Sequence, residues 1–432
     1  MKIAIIGIGY VGLPTGVGFA ELGHDVVCID GMRQKIDELN AGKVPMFEDG
    51  LEELLHKNTA AGKIKFTTDI RVVKDVDFII IAVGTPSHPV TMEVDMRYVY
   101  AAAEEFAPYL SGYTVVANKS TVLIGTAEKV GDIIRTKNPN ADFDVISMPE
   151  FLREGFAVHD FLNPDRVVIG TDSDRARKAV EELYSVYPKT PDILFVDRRS
   201  AELIKYASNA FLAMKIHYIN EMADLCEKTG ANVYDVAKGM GLDSRIGNKF
   251  LNPGPGYGGS CFPKDTYALA YMARHIDVDL SLVEATIAGN VLRRSKMAKK
   301  IISAVKDIEK TEKPVIAVWG LAFKEKTDDV RESPALQIVQ ELVSRNYEVV
   351  AFDPRAKDTA FAVLGDSIKY ADSAIEAAKG ADILVVLTEW LDFKKVPLEK
   401  LEMRSKNIID LRNVINADAA KSAGFFYEVI GK

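Results

Sequence analysis

The chain has 432 residues, 48% hydrophobic and 27% charged, enough for two or three domains at roughly 100–200 residues each. Its 54 lysines and arginines against 62 aspartates and glutamates leave a net charge of −8, which excludes the basic footprint that nucleic acid or an anionic membrane surface demands. No apolar run reaches the roughly 18 residues of a membrane span, and three scattered cysteines, Cys28, Cys226 and Cys261, exclude a disulfide framework and fit a reducing cytoplasm.

The opening run MKIAIIGIGYVG carries one lysine and regular glycines and lacks a small-residue cleavage site, so it reads as the start of a fold and not as a leader. Across residues 1–199 short β-branched runs alternate with helical segments: KIAIIGIG, HDVVCID, DFIIIAVGT, YTVVANKS, DFDVISMP and RVVIG. That alternation predicts an α/β domain with a parallel, doubly wound sheet. From about Ser200 the pattern changes. Leu203, Ala207, Ala210, Phe211, Met214, Tyr218, Met222 and Leu225 keep helical spacing up to Gly230, which predicts a helix of roughly 30 residues. Helical sequence resumes after a glycine-rich loop at 254–259 and continues towards Lys310, making 200–310 a central helical region. From Lys313 the strands return as PVIAVWGLAF, YEVVAFDP, ADILVVLTEW and KNIIDLRN, so 311–432 is expected to be a second Rossmann-like domain. Its first turn, WGLAFKEKTDD, lacks the complete glycine fingerprint and points to a different nucleotide. The exposed linker is expected at 306–313.

Gly7, Gly9 and Gly12 form a GxGxxG directly after the first strand and at the opening of a helix, with Tyr10 and Val11 between the last two. Gly7 permits the tight turn, Gly9 lets backbone amides approach a pyrophosphate, and Gly12 allows close helix packing. About 20 residues further on the second strand ends at Asp30, whose carboxylate suits both ribose hydroxyls and repels a 2′-phosphate, favouring NAD over NADP. Lys35 is a candidate contact to the ribose or pyrophosphate, and Thr85 falls in the loop after the third of these strands, where such loops meet the cofactor.

Cys261 lies between a glycine-rich loop, Gly254 to Gly259, and Pro263-Lys264-Asp265. The glycines expose backbone amides to a ligand, and Lys264 supplies a cation that favours a nucleophilic thiolate. Cys28, in a strand, and Cys226, on a helix face, read as small buried hydrophobes. Lys205 and Asn209 are spaced i, i+4 on the long helix and share one face, a pairing suited to stabilising an oxyanion. The loops Asn118 to Thr121 and Pro149 to Gly155 follow the fourth and fifth runs, at the carboxyl edge of the sheet where ligands bind such folds.

The segments GIGYVG, KST, PEFLREG, NPDRVVIG, ELIKYASNAF, GYGGSCFPKD and FKEKTDDVRESPA, ordered from Met1 into the C-terminal region, resemble the UDP-glucose 6-dehydrogenase family of nucleotide-sugar dehydrogenases. The resemblance implies two Rossmann-like domains joined by a long helix, NAD on the first and UDP largely on the second. It also implies oxidation of a UDP-sugar C6 alcohol to a carboxylate with two NAD, the aldehyde never being released. Carried over by residue, it makes Cys261 the nucleophile that captures the aldehyde, Glu150 the group that activates water, and Lys205 and Asn209 the oxyanion donors, with Asp265 and Thr121 holding a catalytic water. Glu154, Lys264 and Arg331 resemble NAD contacts. Phe151, Leu152, Arg153 and Glu154, then Phe250, Leu251, Asn252, Pro253 and Gly254, with Tyr257, Gly258 and Lys324, would hold UDP-glucose, and Arg245 would reach a neighbouring subunit of a homodimer or larger homo-oligomer. No metal is implied. The chain departs from the family's usual pattern at Leu123, over Val44 to Leu51, and in the loop 87–96, where His88 reads as a loop residue.

Three other readings stand beside this one: oxidation of GDP-mannose or a UDP-N-acetylhexosamine, a dehydrogenase that stops after one hydride, and a catalytically silent sensor of NAD or nucleotide sugar. Asn163-Pro164-Asp165-Arg166 and SCFPKD look more like the UDP-glucose type, and Cys261 in its loop argues against a single-hydride enzyme.

Overall fold

The computed structural model describes residues 1–86, 88, 93–308 and 314–432, with the side chains of 307 and 308 excepted. The greater part of the expected linker, 309–313, and residues 87 and 89–92 of the loop after Thr85 lie outside the described residues. The chain divides into two compact units, Met1–Ser208 and Asn209–Lys432, and the division falls inside the long helix Arg198–Thr229.

The first unit is built on eight strands: β1 (Lys2–Ile6), β2 (Asp25–Ile29), β3 (Ile64–Thr67), β4 (Phe78–Ile81), β5 (Tyr113–Asn118), β6 (Asp142–Ser147), β7 (Val167–Gly170) and β8 (Ile193–Val196). Their order is β3-β2-β1-β4-β5-β6-β7-β8. The first six follow the doubly wound pattern, whose order reverses between β1 and β4 and opens a crevice there. Every residue of β4, Phe-Ile-Ile-Ile, is buried, as expected of a central strand covered on both faces. The expected all-parallel sheet needs one correction. β7 meets β6 antiparallel, and only at Ser147 and Gly170, because the chain between them makes a loop and the short helix Ala157–Leu162 in place of a full crossover. β7 and β8 then pair parallel.

The second unit carries β9 (Val315–Trp319), β10 (Glu348–Phe352), β11 (Lys369–Tyr370), β12 (Ile383–Val386), β13 (Asn407–Asp410) and β14 (Phe426–Val429), all parallel, in the order β11-β10-β9-β12-β13-β14. This repeats the order of β1 to β6, as a second Rossmann-like domain requires. Trp319 is fully buried, stacks on Phe393 at 5.2 Å, and donates its indole N–H to Ala374 O at 2.9 Å. The helices Val233–Gly241, Phe262–His275 and Ser281–Ile308 precede the sheet.

The long helix spans 32 residues, close to the expected length, and the residues whose spacing announced it fall on both sides, Ala210 being buried and most of the larger ones exposed. Leu203, Phe211, Tyr218 and Leu225 are exposed, whereas Ala201, Lys205, Asn209, Ala213, Asn220 and Ala223 are buried. The buried side mixes small residues and the large Tyr206 and Ile219 with the polar groups, so functional side chains are buried on the same face as apolar ones.

Candidate active site

The first unit forms its dinucleotide crevice from the turn after β1. Gly7 has φ +95°, and its N–H reaches Ile29 O at 2.8 Å; a Cβ there would stand 2.7 Å from Ala82 O. Gly12 opens the helix Gly12–Glu21 so near the turn that a Cβ would fall 1.9 Å from Gly7 O. Gly9 is the contrast, since a Cβ there meets nothing within 4 Å. Space is therefore left open where helix N-terminal amides can receive a phosphate, and Tyr10 and Val11, both half-buried, lead into that helix.

Asp30 follows β2. Its carboxylate accepts from Ile8 N–H at 3.0 Å, Met32 N–H at 3.0 Å and Lys35 Nζ at 2.8 Å. Burial raises this carboxyl, but those donors outweigh it and hold it below the usual carboxylate range, so it is an acceptor-only group suited to ribose hydroxyls. Lys35, expected at the ribose or pyrophosphate, is paired with Asp30 itself. Thr85 is buried just beyond β4. The open glycine edge and the anionic acceptor together fit NAD.

At the same edge of the first unit, Glu150 and Lys205 form an ion pair of 2.8 Å with 4% of each side chain exposed. Glu150 Oε2 accepts from Leu152 N–H at 2.6 Å. Burial raises the Glu150 carboxyl, and the Lys205 ammonium more than offsets it, with Lys119 adding to the effect. Lys119, buried at the end of β5, is pushed by desolvation down to about 8 while Glu150 pulls it up. Phe151 lies under the Arg166 guanidinium at 3.7 Å and within 5.4 Å of Lys205 Nζ. Arg153 forms a two-point pair with Asp160 at 2.7 and 2.6 Å, and Leu152, Glu154 and Thr121 are half-buried.

Two buried carboxylates that sequence reasoning missed hold these loops. Glu48 accepts from Gly155 N–H at 2.8 Å and Ala157 N–H at 2.6 Å, tying down the end of the Glu150 loop. Glu202 accepts from Gly125 N–H at 2.6 Å, Ala127 N–H at 3.0 Å and Ser147 Oγ at 3.0 Å, fixing the exit of the Thr121 loop. Neither has a local signal.

In the second unit Asn209 Nδ2 donates to Asp265 Oδ2 at 2.6 Å, and Lys264 Nζ to Asp265 Oδ1 at 2.5 Å. The fully buried Asp265 is thus held by two of the predicted groups. Cys261 immediately precedes the helix Phe262–His275, with Ser260 Oγ 3.5 Å from its Sγ. No cysteine is in a disulfide, and Cys28 and Cys226 are buried while Cys261 is half-exposed. A helix N-terminus favours the thiolate that nucleophilic chemistry needs. Phe250 sits at φ +65°. Leu251, Pro253, Gly254, Tyr257 and Gly258 are buried, while Asn252 is exposed. Lys324 lies 5.6 Å over Phe323, Arg331 forms a two-point pair with Asp329, and the exposed Arg245 is paired with Asp243 at 2.6 Å.

The second sheet repeats the first turn without its ligand chemistry. Gly320, φ +97°, donates to Phe352 O at 2.8 Å, as Gly7 does to Ile29. Asp353, at the position of Asp30, spends Oδ2 on Leu321 N–H, Ala322 N–H and Trp390 Nε1 at 2.7 to 3.0 Å. Asp353 is buried where Asp30 is half-buried, so it offers no ribose carboxylate of the Asp30 kind, in keeping with the incomplete glycine fingerprint. Among the described residues no cluster of three or more His, Cys, Asp and Glu side chains is placed to hold a metal ion.

Comparison with known proteins bears on the whole length. Residues 1–187 match the NAD binding domain of the UDP-glucose/GDP-mannose dehydrogenase family, 199–291 its central domain and 317–417 its UDP binding domain. The chain is 49% identical over 438 residues to a UDP-glucose 6-dehydrogenase of Rhizobium meliloti, covering 100% of both. It is 43% identical to UDP-glucose 6-dehydrogenase TuaD of Bacillus subtilis, over 100% of this chain and 93% of that one. Among solved structures, a UDP-glucose dehydrogenase from Pyrobaculum islandicum superposes with a TM-score of 0.91 at 35% identity, covering 99% of this chain and 96% of that one.

Proposed function

The chain belongs to the UDP-glucose/GDP-mannose dehydrogenase family, and from that premise we propose that it oxidises the C6 alcohol of UDP-glucose to the carboxylate of UDP-glucuronate. The observation that carries the reading is Cys261, the cysteine that is not buried and that heads a helix.

In the first oxidation C6 loses a hydride and its hydroxyl passes a proton to the catalytic water, leaving an aldehyde. The Cys261 thiolate adds to the aldehyde carbon, and Lys205 Nζ and Asn209 Nδ2 donate to the alkoxide that forms. Loss of a second hydride from this thiohemiacetal leaves a thioester. Water then attacks the thioester, its proton passing to the Glu150 carboxylate, and the Cys261 thiolate is expelled as the acid forms. NAD, when bound, accepts the hydride in each oxidation, one equivalent apiece. Covalent capture keeps the aldehyde from escaping between the two oxidations, and each oxyanion donor is worth about 10²–10³ in rate. Asp265, gripped by Asn209 and Lys264, acts with Thr121 to hold the catalytic water.

Gly7, Gly9, Gly12, Asp30, Lys35 and Thr85 hold NAD in this reading, with Glu154, Lys264 and Arg331. The loops Phe151 to Glu154 and Phe250 to Gly254, with Tyr257, Gly258 and Lys324, hold the UDP-sugar. The exposed Phe211, Tyr218 and Leu225 recur every seven residues on the long helix, which supports a homodimer packed through that face, and the exposed Arg245 is then available to a neighbouring subunit. No helix among the described residues is long and apolar enough to cross a membrane, and cysteines outside disulfides suit a cytoplasmic protein.

The test is the number of NADH formed per UDP-glucose consumed with NAD in excess. A ratio of two supports the four-electron oxidation, and a ratio of one means that the reaction stops at the aldehyde. No NADH from UDP-glucose, with turnover of GDP-mannose or a UDP-N-acetylhexosamine, would move the substrate assignment.

A further inference from the structure

We propose that Asn290 is a positioning residue that sets the backbone of the cysteine loop and thereby the approach of Cys261 to the aldehyde, a proposal that rests on reading Cys261 as the nucleophile. Residues 254–258 form neither helix nor strand, yet they are buried, so their N–H and C=O groups must find partners elsewhere. Side chains supply those of Gly254 and Tyr257. Asn290, 4% exposed on the helix Ser281–Ile308, accepts from Tyr257 N–H through Oδ1 at 2.9 Å and donates from Nδ2 to Tyr257 O at 3.0 Å. That two-point grip reproduces the exchange of hydrogen bonds between paired residues of an antiparallel sheet and fixes the orientation of the peptides on both sides of Tyr257.

The neighbouring contacts show that the grip belongs to a built cradle. Arg294, one turn along the same face, donates from Nη2 to the same Tyr257 carbonyl at 2.9 Å. Arg293 Nε reaches Gly254 O at 3.1 Å, and Asn220 Oδ1 accepts from Gly254 N–H at 2.8 Å. Gly256 has φ +130°, and a Cβ there would stand 2.9 Å from Asn290 Oδ1, so loop and amide are fitted to each other. Four residues beyond Tyr257 comes Cys261, at the head of a rigid helix. Rotation of the Tyr257 peptide is therefore carried along a short segment to Sγ. An amide is needed because one side chain must both donate and accept; a carboxylate or a hydrocarbon of the same size cannot.

Asn290→Leu removes both bonds, and Asn290→Asp keeps the acceptor and loses the donor. For each, kcat and KM for UDP-glucose are measured together with the ratio of NADH formed to UDP-glucose consumed. The core truncation Val385→Ala, fully buried in β12, is the control for lost stability alone. The expected result is a kcat lower by about 10²-fold in Asn290→Leu, a much smaller change in KM, and a ratio falling from two towards one as uncaptured aldehyde escapes into water. Val385→Ala should lower the thermal midpoint and keep the ratio at two. Should Asn290→Leu fail to fold, Asn290→Asp decides by the same ratio and kcat. A parent ratio of two with an unchanged ratio and kcat in the variants overturns the positioning role and leaves the covalent reading intact. A parent ratio other than two overturns the covalent reading and this proposal with it.

Discussion

Lys205 Nζ lies 2.8 Å from Glu150 Oε1, and each side chain is only 4% exposed. Neither charge has water to fall back on, so the pair is a mutual requirement: removing one partner of such a pair costs about 3–5 kcal/mol. Lys205→Met should therefore destabilise the fold and, in the proposed reading of Lys205 as an oxyanion donor, lower kcat by about 10²–10³.

The pH dependence of that variant separates the two effects. In the parent the Glu150 carboxyl is held below its ordinary 4.5, so its contribution is present above that value and is lost as pH falls. Without Lys205, burial dominates and the carboxyl rises. The folded state then binds more protons than the unfolded state, and stability falls as pH rises. The gap in thermal midpoint between parent and Lys205→Met should accordingly be widest near neutrality and narrow towards pH 4.5. A gap independent of pH would mean that the carboxyl does not depend on Lys205.

Gly9 and Gly12 should fail in different ways. A Cβ at Gly9 meets nothing within 4 Å, so Gly9→Ala should leave stability within about 0.5 kcal/mol of the parent while weakening NAD binding by about tenfold or more, a loss of ~1.4 kcal/mol. A Cβ at Gly12 falls 1.9 Å from Gly7 O, and backbone cannot give way as a side chain can. Gly12→Ala should cost about 1–3 kcal/mol or more in the fold itself. Thermal melts and NAD titration of both proteins check the contrast; equal losses of stability would refute it.

What was legible in the sequence was chemistry concentrated in a short window. The glycine run, the Cys261 loop and the Lys205–Asn209 spacing each announce themselves within a few residues, and Asp30 stands at a fixed distance from the glycine run at the end of the next strand. The strands β3, β8, β11 and β14 escaped the reading because they are edge strands of two to four residues with exposed positions, too short to stand out even where, as in β8, every residue is apolar. Periodicity located the long helix but did not say which face is buried: Phe211, Tyr218 and Leu225 are exposed, and the buried side carries Lys205 and Asn209. Glu48 meets its N–H partner at Gly155 across 107 residues, and Asn290 meets Tyr257 across 33. A single polar residue whose partner is a distant peptide group leaves no pattern to read.

Glu48 offers a test of how the Glu150 loop is held. Its two acceptor bonds to Gly155 and Ala157 N–H hold the end of the segment assigned to the UDP-sugar. Glu48→Ala strands both donors, at about 1–3 kcal/mol for each group left buried. Because these N–H groups follow Phe151 to Glu154, the loop should loosen at its substrate-binding end: KM for UDP-glucose should rise, with a smaller loss of NAD affinity through Glu154. A selective loss of NAD binding with unchanged KM would place the role of Glu48 elsewhere.

Cys261→Ala bears on the chemistry most directly. The side chain is half-exposed and heads a helix, so its removal opens no buried cavity and the thermal midpoint should hardly move. Binding of UDP-glucose rests in the proposed reading on the loops and on Lys324, none of which the substitution touches, and its affinity should persist. The first oxidation needs no thiol, but its aldehyde can no longer be captured. Net formation of the acid should therefore cease, leaving at most a slow first oxidation limited by aldehyde leaving the site. Product analysis after long incubation with excess NAD distinguishes the cases. Acid formed at the parent rate would show that the second oxidation proceeds through the aldehyde hydrate and that Cys261 has another task.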